Sequence, residues 1–205
     1  MSAAQVAIID YGAGNTFSVS TALARTGASV HVVTGAEDVR AGTSHVVLPG
    51  VGAFGHCMTR LRAAGLDELV LGWVAEQRPL LGVCVGLQLL CATSEETPGV
   101  TGLGLISSEV VRLAAPGDRI PHVGWNTMRD GGAGAAPLNG FAYFNHSFGL
   151  REQGSLTDVR WCDHGGGFIA EARHEAVLVA QYHPEKSQSV GKLLLQRFVK
   201  DPSGW

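Results

Sequence analysis

The segment that most restricts how this chain can fold is Leu81-Gly82-Val83-Cys84-Val85-Gly86-Leu87-Gln88. An apolar run closes on Gly-Val-Cys-Val-Gly, and a helix-like pattern begins at once. A nucleophile elbow has this layout: a strand turns sharply into a helix and leaves one side chain outward at the strained corner. Side chains two residues to either side would crowd that corner, so glycine is expected at 82 and 86. Cysteine takes the corner in place of serine. At a helix N-terminus its sulfur meets the positive end of the helix dipole, which favours the thiolate.

The rest of the first half fits a fold with such a corner. Val6-Ala7-Ile8-Ile9, Val30-His31-Val32-Val33, His45-Val46-Val47-Leu48 and the run from Leu80 to Val83 are short and almost wholly apolar. Helical spacing separates them over 16–26 and 54–76, with Gly65 as a break in the second stretch, and a further helix is expected over 86–92. Apolar strands alternating with helices imply an α/β fold with a mostly parallel central sheet covered on both faces, and sites at the carboxyl ends of its strands. In the second half, Val110-Val111-Arg112-Leu113, Phe141-Ala142-Tyr143-Phe144, Phe168-Ile169-Ala170 and Val177-Leu178-Val179-Ala180 are short and set among Gly, Asp, Asn and Pro. They predict an antiparallel extension of that sheet, with a surface loop over 131–137 and a last helix over 189–200. With 205 residues and no linker, one domain over 1–205 is expected.

Composition narrows the function classes. The net charge is −3 with no basic run, which argues against a nucleic-acid partner. The most apolar window, 79–92, is shorter than the ~20 residues that span a bilayer, so no membrane partner is expected. Met1-Ser2-Ala3-Ala4-Gln5 has no positive region of the kind that opens a signal peptide. A cytoplasmic location is expected. Cys57, Cys84, Cys91 and Cys162 have no disulfide or zinc spacing. All but Cys84 suit small buried thiols in a reducing compartment. The histidines show no metal spacing, and neither metal nor cofactor is expected.

A thiolate nucleophile needs a base, and His183-Pro184-Glu185 supplies one. His183 would take and return the proton while Glu185 orients its ring and stabilises the imidazolium. In an extended segment these two side chains project to the same side. Acyl transfer also needs donors for an oxyanion. The N–H of Val85 is one, and the loop Pro49-Gly50-Val51-Gly52 offers another at Val51.

The chain resembles the class I, triad-type glutamine amidotransferases, and within them the glutaminase subunits of imidazole glycerol phosphate synthase. The elbow and His183-Pro184-Glu185 carry the broad resemblance. The narrower one rests on Asp10-Tyr11-Gly12-Ala13-Gly14-Asn15, Pro121-His122-Val123-Gly124-Trp125-Asn126 and His146-Ser147, while Pro49-Gly50-Val51-Gly52-Ala53-Phe54, Tyr143-Phe144-Asn145 and Lys186-Ser187 match in the family's order. The resemblance implies a flavodoxin-like fold and a Cys84 γ-glutamyl thioester formed from glutamine with release of ammonia. It implies that Gly52, Gln88 and Glu96 hold glutamine, with the adjacent Glu95 as the alternative to Glu96, and with His146 and Ser147 against it. It also implies that Asn15, Trp125, Tyr143 and Lys186 face a partner, a (β/α)8-barrel synthase that uses the ammonia in histidine biosynthesis. Val85, Leu87, Thr16, Asn145 and Tyr182 depart from the usual residues, and Tyr182 adds a hydroxyl where Phe is common. Other readings are an amidotransferase subunit of the anthranilate or aminodeoxychorismate type, a docking scaffold without catalysis, and a free-standing cysteine hydrolase. The glycine-rich 49–52 loop implies a low resting activity until a partner docks.

Overall fold

The computed structural model describes residues 3–114, 117–131 and 139–200. Strands β1 (Gln5–Ile9), β2 (Ser29–Val33), β3 (His45–Gly50) and β4 (Leu80–Cys84) alternate with helices α1 (Thr16–Ala24), α2 (Phe54–Ala63), α3 (Leu66–Ala75) and α4 (Val85–Leu89). There follow β5 (Cys91–Ser94), β6 (Ile106–Arg112), β7 (His122–Asn126), β8 (Arg129–Asp130), β9 (Ala142–His146), β10 (Phe148–Gly149), β11 (Thr157–Cys162), β12 (Phe168–His174) and β13 (Val177–Ala180). Helix α5 (Gln188–Lys200) comes last.

Eight strands form the main sheet in the order β2-β1-β3-β4-β13-β12-β11-β8. The first five are parallel and the last three antiparallel. Every residue of β3, β4 and β13 is buried. Strands covered on both faces have this continuous apolar composition. Gly65, in the left-handed region, separates α2 from α3 as its position implies.

The second half differs from the expectation in three places. β13 lies in the parallel part, beside β4, rather than in the antiparallel extension. Its four buried apolar residues require cover on both faces, which only the sheet centre provides. The segments around 110–113 and 141–144 leave the main sheet altogether. β6 joins β10 and β5, and β9 pairs with β7. Both alternate buried with more exposed residues, the pattern of sheets with one wet face. The helix after the elbow stops at Leu89 instead of running to 92. There the carbonyls of Leu89, Leu90 and Ala92 accept from the amides of Leu103, Ile106 and Gly102. These distant partners turn the chain into β5. The loop expected over 131–137 lies, from residue 132 on, outside the described residues.

Two long-range contacts set the region after β13. Tyr182 is fully buried, and its hydroxyl donates to Glu171 Oε2 at 2.5 Å. Arg160 binds Glu171 Oε1 at 2.7 Å, so the hydroxyl that replaces a plain phenyl completes a buried ion pair. Burial raises the Glu171 carboxyl above its ordinary range, while Arg160 and Tyr182 work against that rise. Further on, Gly191 of α5 packs against the Pro184 carbonyl so closely that a Cβ would overlap it. Gly191→Ala is therefore expected to cost about 1–3 kcal/mol by overpacking. The check is a lower urea midpoint at unchanged m-value.

Candidate active site

Cys84 ends β4 with φ +55° and ψ −114°, a conformation that side chains rarely adopt. Glycines around it make this possible. A Cβ on Gly86 would land on the Leu48 carbonyl oxygen, and one on Gly82 would sit 2.9 Å from Leu90 Cδ1. Gly50, level with Cys84 on β3, lies under the corner as well. A Cβ there would be 2.7 Å from the Gly86 nitrogen and 2.7 Å from the Tyr11 hydroxyl. The following helix, α4, has only five residues. Its dipole acts through its first turn alone, and a nearby imidazole adds a second source of positive charge beside the sulfur.

That imidazole is His183. Its amide donates to the Tyr143 carbonyl, 2.9 Å away, which ties the segment after β13 to β9. His183 itself is extended, but Pro184–Lys186 form a tight turn rather than the extended run expected. Pro184 opens that turn, where its missing N–H costs nothing. The turn swings Glu185 back so that His183 Nδ1 and Glu185 Oε1 are 3.0 Å apart. Both side chains are almost fully buried. Ser187 Oγ donates to the His183 carbonyl at 2.6 Å and locks the turn. Burial works against the imidazolium, but hydrogen bonds and charge from Cys84 and Glu185 outweigh it and raise the His183 pKa to about 10. The histidine therefore holds its proton at neutral pH beside the sulfur.

A cavity of about 290 Å³ opens over Cys84. Its lining includes Val51, Gly52, Val85, Gln88, Glu96, His146, Ser147, His183 and Lys186. Pro121, Asn145 and Phe148 line it too. The sequence offers no general signal for Pro121 or Phe148, because both reach the site through pairing of distant strands. The choice between the two glutamates is geometric. Glu96 faces the cavity while its Oε2 accepts from the Phe54 amide at 2.7 Å. Glu95 turns away to the Arg112 amide, also at 2.7 Å. In the 49–52 loop, the Tyr11 hydroxyl donates to the Pro49 carbonyl at 3.0 Å and the Cys57 thiol to the Val51 carbonyl at 3.4 Å. Carbonyls on either side of Gly50 are thus pinned. Burial raises the Tyr11 phenol and the Cys57 thiol, so both stay protonated donors.

Behind the cavity wall runs a directed chain of hydrogen bonds. The Phe148 carbonyl can only accept, so His146 Nδ1 carries the hydrogen in their 2.9 Å bond. His146 Nε2 then accepts from His122 Nδ1 at 3.4 Å. His122 Nε2 in turn faces the Asn126 amide at 3.5 Å. Both imidazoles are thereby neutral. Burial and the neighbouring His164 lower the pKa of His122 to about 4, and burial together with His122, His164 and His183 lowers that of His146 to about 3.

Of the residues expected at a partner face, Trp125 is half exposed and meets Tyr143 edge-on at 5.6 Å between centroids. Lys186 Nζ stands 5.2 Å from the centre of the Tyr143 ring, over its face. These three make one patch that borders the cavity. Asn15 caps α1, its Oδ1 accepting from the Ser18 amide at 3.3 Å. Helix α1 packs beside the Pro184–Lys186 turn. Among the described residues, Cys57, Cys91 and Cys162 are buried and unpaired, and burial pushes the thiols of Cys91 and Cys162 up to about 12. No group of metal-ligating side chains occurs among the described residues, nor does a helix long and apolar enough to cross a membrane.

A cysteine–histidine–glutamate site on this sheet places the chain in the class I glutamine amidotransferase family, whose model, described as glutamine amidotransferase class-I, matches residues 7–201. A solved structure titled "Crystal structure of glutamine amidotransferase" superposes with a TM-score of 0.74, covering 95% of this chain and 98% of its own, at 21% identity, and supports the fold. Membership narrows further, to the HisH subunits. The chain is 36% identical to the imidazole glycerol phosphate synthase subunit HisH of Rhodopirellula baltica over 96% of this chain and 98% of that one. It is 39% identical to the Arabidopsis thaliana protein named imidazole glycerol phosphate synthase hisHF, chloroplastic, over 95% of this chain and 34% of that protein.

The neutral histidine chain makes stability depend on pH. Both histidines bind protons more readily unfolded, near the ordinary 6.5, than folded. Their contribution is complete above about pH 6.5 and is lost as pH falls toward 4. The urea midpoint is expected to drop between about pH 7 and about pH 4.5. The drop should shrink in His122→Phe, which cannot take up the proton.

Proposed function

We propose that this chain is the glutaminase subunit of imidazole glycerol phosphate synthase, acting as one amidotransferase domain over residues 1–205 in the cytoplasm. It hydrolyses glutamine and passes the ammonia to a (β/α)8-barrel cyclase subunit for histidine biosynthesis. The observation that carries the reading is the Cys84–His183–Glu185 arrangement at the floor of a cavity sized for one amino acid. Cys84 Sγ attacks the glutamine carboxamide carbon. The oxyanion takes hydrogen bonds from the amides of Val51 and Val85, which border the cavity. His183 gives its proton to the leaving nitrogen, the C–N bond breaks, and ammonia departs. Water then attacks the thioester and yields its proton to His183. The C–S bond breaks with its electron pair on sulfur, and glutamate leaves. Glu185 holds the ring throughout.

Glu96, with one oxygen on the Phe54 amide and the other free to accept, suits the α-ammonium of glutamine. Gly52, Gln88, His146 and Ser147 bound the rest of the substrate. Trp125, Tyr143 and Lys186 form the docking patch, with Asn15 on the neighbouring helix. The fused hisHF relative, about a third of which matches this chain, supports a partner of the cyclase kind. Docking beside the 49–52 loop gives the partner a route to the oxyanion donors, so the isolated chain is expected to hydrolyse glutamine slowly.

The test is glutamine hydrolysis by wild type and Cys84→Ala, alone and with the cyclase subunit and its nucleotide substrate. The partner should stimulate wild type strongly, and Cys84→Ala should lose at least about 10⁴-fold in kcat. Full activity without a partner would instead mark a free-standing hydrolase.

A further inference from the structure

Gln181 is fully buried, and neither the triad nor the substrate contacts above use it. Its backbone amide donates to Ala170 on β12 at 2.9 Å. Its side chain reaches toward the nucleophile, with Nε2 3.8 Å from Cys84 Sγ. An amide could face the sulfur by either end, and the surrounding bonds decide which. The Phe148 carbonyl accepts only, so the group of Gln88 that lies 2.9 Å from it is the amino end. The same amino group lies 3.2 Å from Gln181 and must meet an acceptor there, its Oε1. That leaves the amino end of Gln181 on the sulfur. Gln88 and Cys84 are almost as deeply buried as Gln181, which leaves little room for water to compete.

We propose that Gln181 is a further catalytic residue: its N–H donates to Cys84 Sγ and stabilises the thiolate both before attack and when the C–S bond breaks. This rests on the reading of Cys84 given above. His183 alternately holds and surrenders a proton during the cycle, so its support of the sulfur varies. The Gln181 amide does not titrate and remains a donor at every step. Gln88 acts as the positioning residue that fixes its orientation. The titratable groups around the sulfur are His183, Glu96, His146 and Lys186 on the cavity side and Tyr11 and Cys57 beneath the loop. Gln181 adds a neutral donor to that set.

The test follows alkylation of the full chain by iodoacetamide across pH, with the modified cysteine mapped by mass spectrometry and Cys84→Ala as the blank. Gln181→Met removes the donor at similar volume. Its alkylation profile should move to higher pH by about one unit, the size of one hydrogen bond to a charged group. Gln181→Glu, which puts an acceptor against the sulfur, should move it further. Glutamine turnover in the coupled assay should fall about tenfold in kcat with KM nearly unchanged. A merely structural role would not move the alkylation profile. If Gln181→Met does not fold, Gln181→Asn draws the amide back by one methylene and should give the same direction of shift. An unmoved profile in either folded variant overturns the proposal. Because alkylation needs neither glutamine nor partner, that result would leave the proposed function standing. Labelling at a cysteine other than Cys84 would instead overturn the reading of the nucleophile, and this proposal with it.

Discussion

The left-handed backbone at Cys84 is the constraint on which the rest of the site depends. A side chain in that conformation is strained, and such strain persists only where the surroundings over-determine it. Here they do so by close approach. Gly82, Gly86 and Gly50 let β3, β4 and α4 come within backbone contact of one another, and the Tyr11 hydroxyl fills the space beside Gly50. The corner thus brings together the sulfur, the Val85 amide and the 49–52 loop. Any side chain added at those glycines would separate them.

Around this corner the polar groups are arranged as donors of fixed direction. Both chains behind the cavity start from the Phe148 carbonyl, one through Gln88 to Gln181 and the other through His146 to His122 and Asn126. A carbonyl that can only accept is a natural anchor, because it removes the ambiguity of every amide or imidazole linked to it. The His183–Glu185 pair is the exception: there a charge is kept, with a carboxylate behind the ring. Neutral groups form the two chains behind the cavity, and the mobile proton sits at the one place where chemistry uses it.

The parts of this arrangement that depend on neighbours in sequence are legible in the sequence. The elbow glycines, the alternation of apolar runs with helices, the break at Gly65 and the closeness of His183 to Glu185 all follow from local spacing. The parts set by distant backbone are not. Nothing around Val177–Ala180 says that it lies between β4 and β12, and the pattern of Gln188–Lys200 does not mark Gly191 as the residue touching Pro184. Gln181 looks like an ordinary polar residue before an active-site histidine until Gln88 and Phe148, far off in sequence, fix its amide. The hydroxyl of Tyr182 reads as a small addition to Phe, yet Glu171 and Arg160 make it part of a buried pair.

The order of strands has a consequence for how the molecule comes into being. β1 to β4 precede β13 in the chain by many residues, and without it they make a parallel sheet in the order β2-β1-β3-β4. The strand with the nucleophile is then an open edge, the kind of surface that pairs with other chains. Its natural neighbour, β13, arrives nearly a hundred residues later and carries the segment with His183 behind it. Sealing that edge is a slow, non-local step of folding. It is also the step that brings His183 beside the sulfur, so covering the edge and assembling the site are a single event.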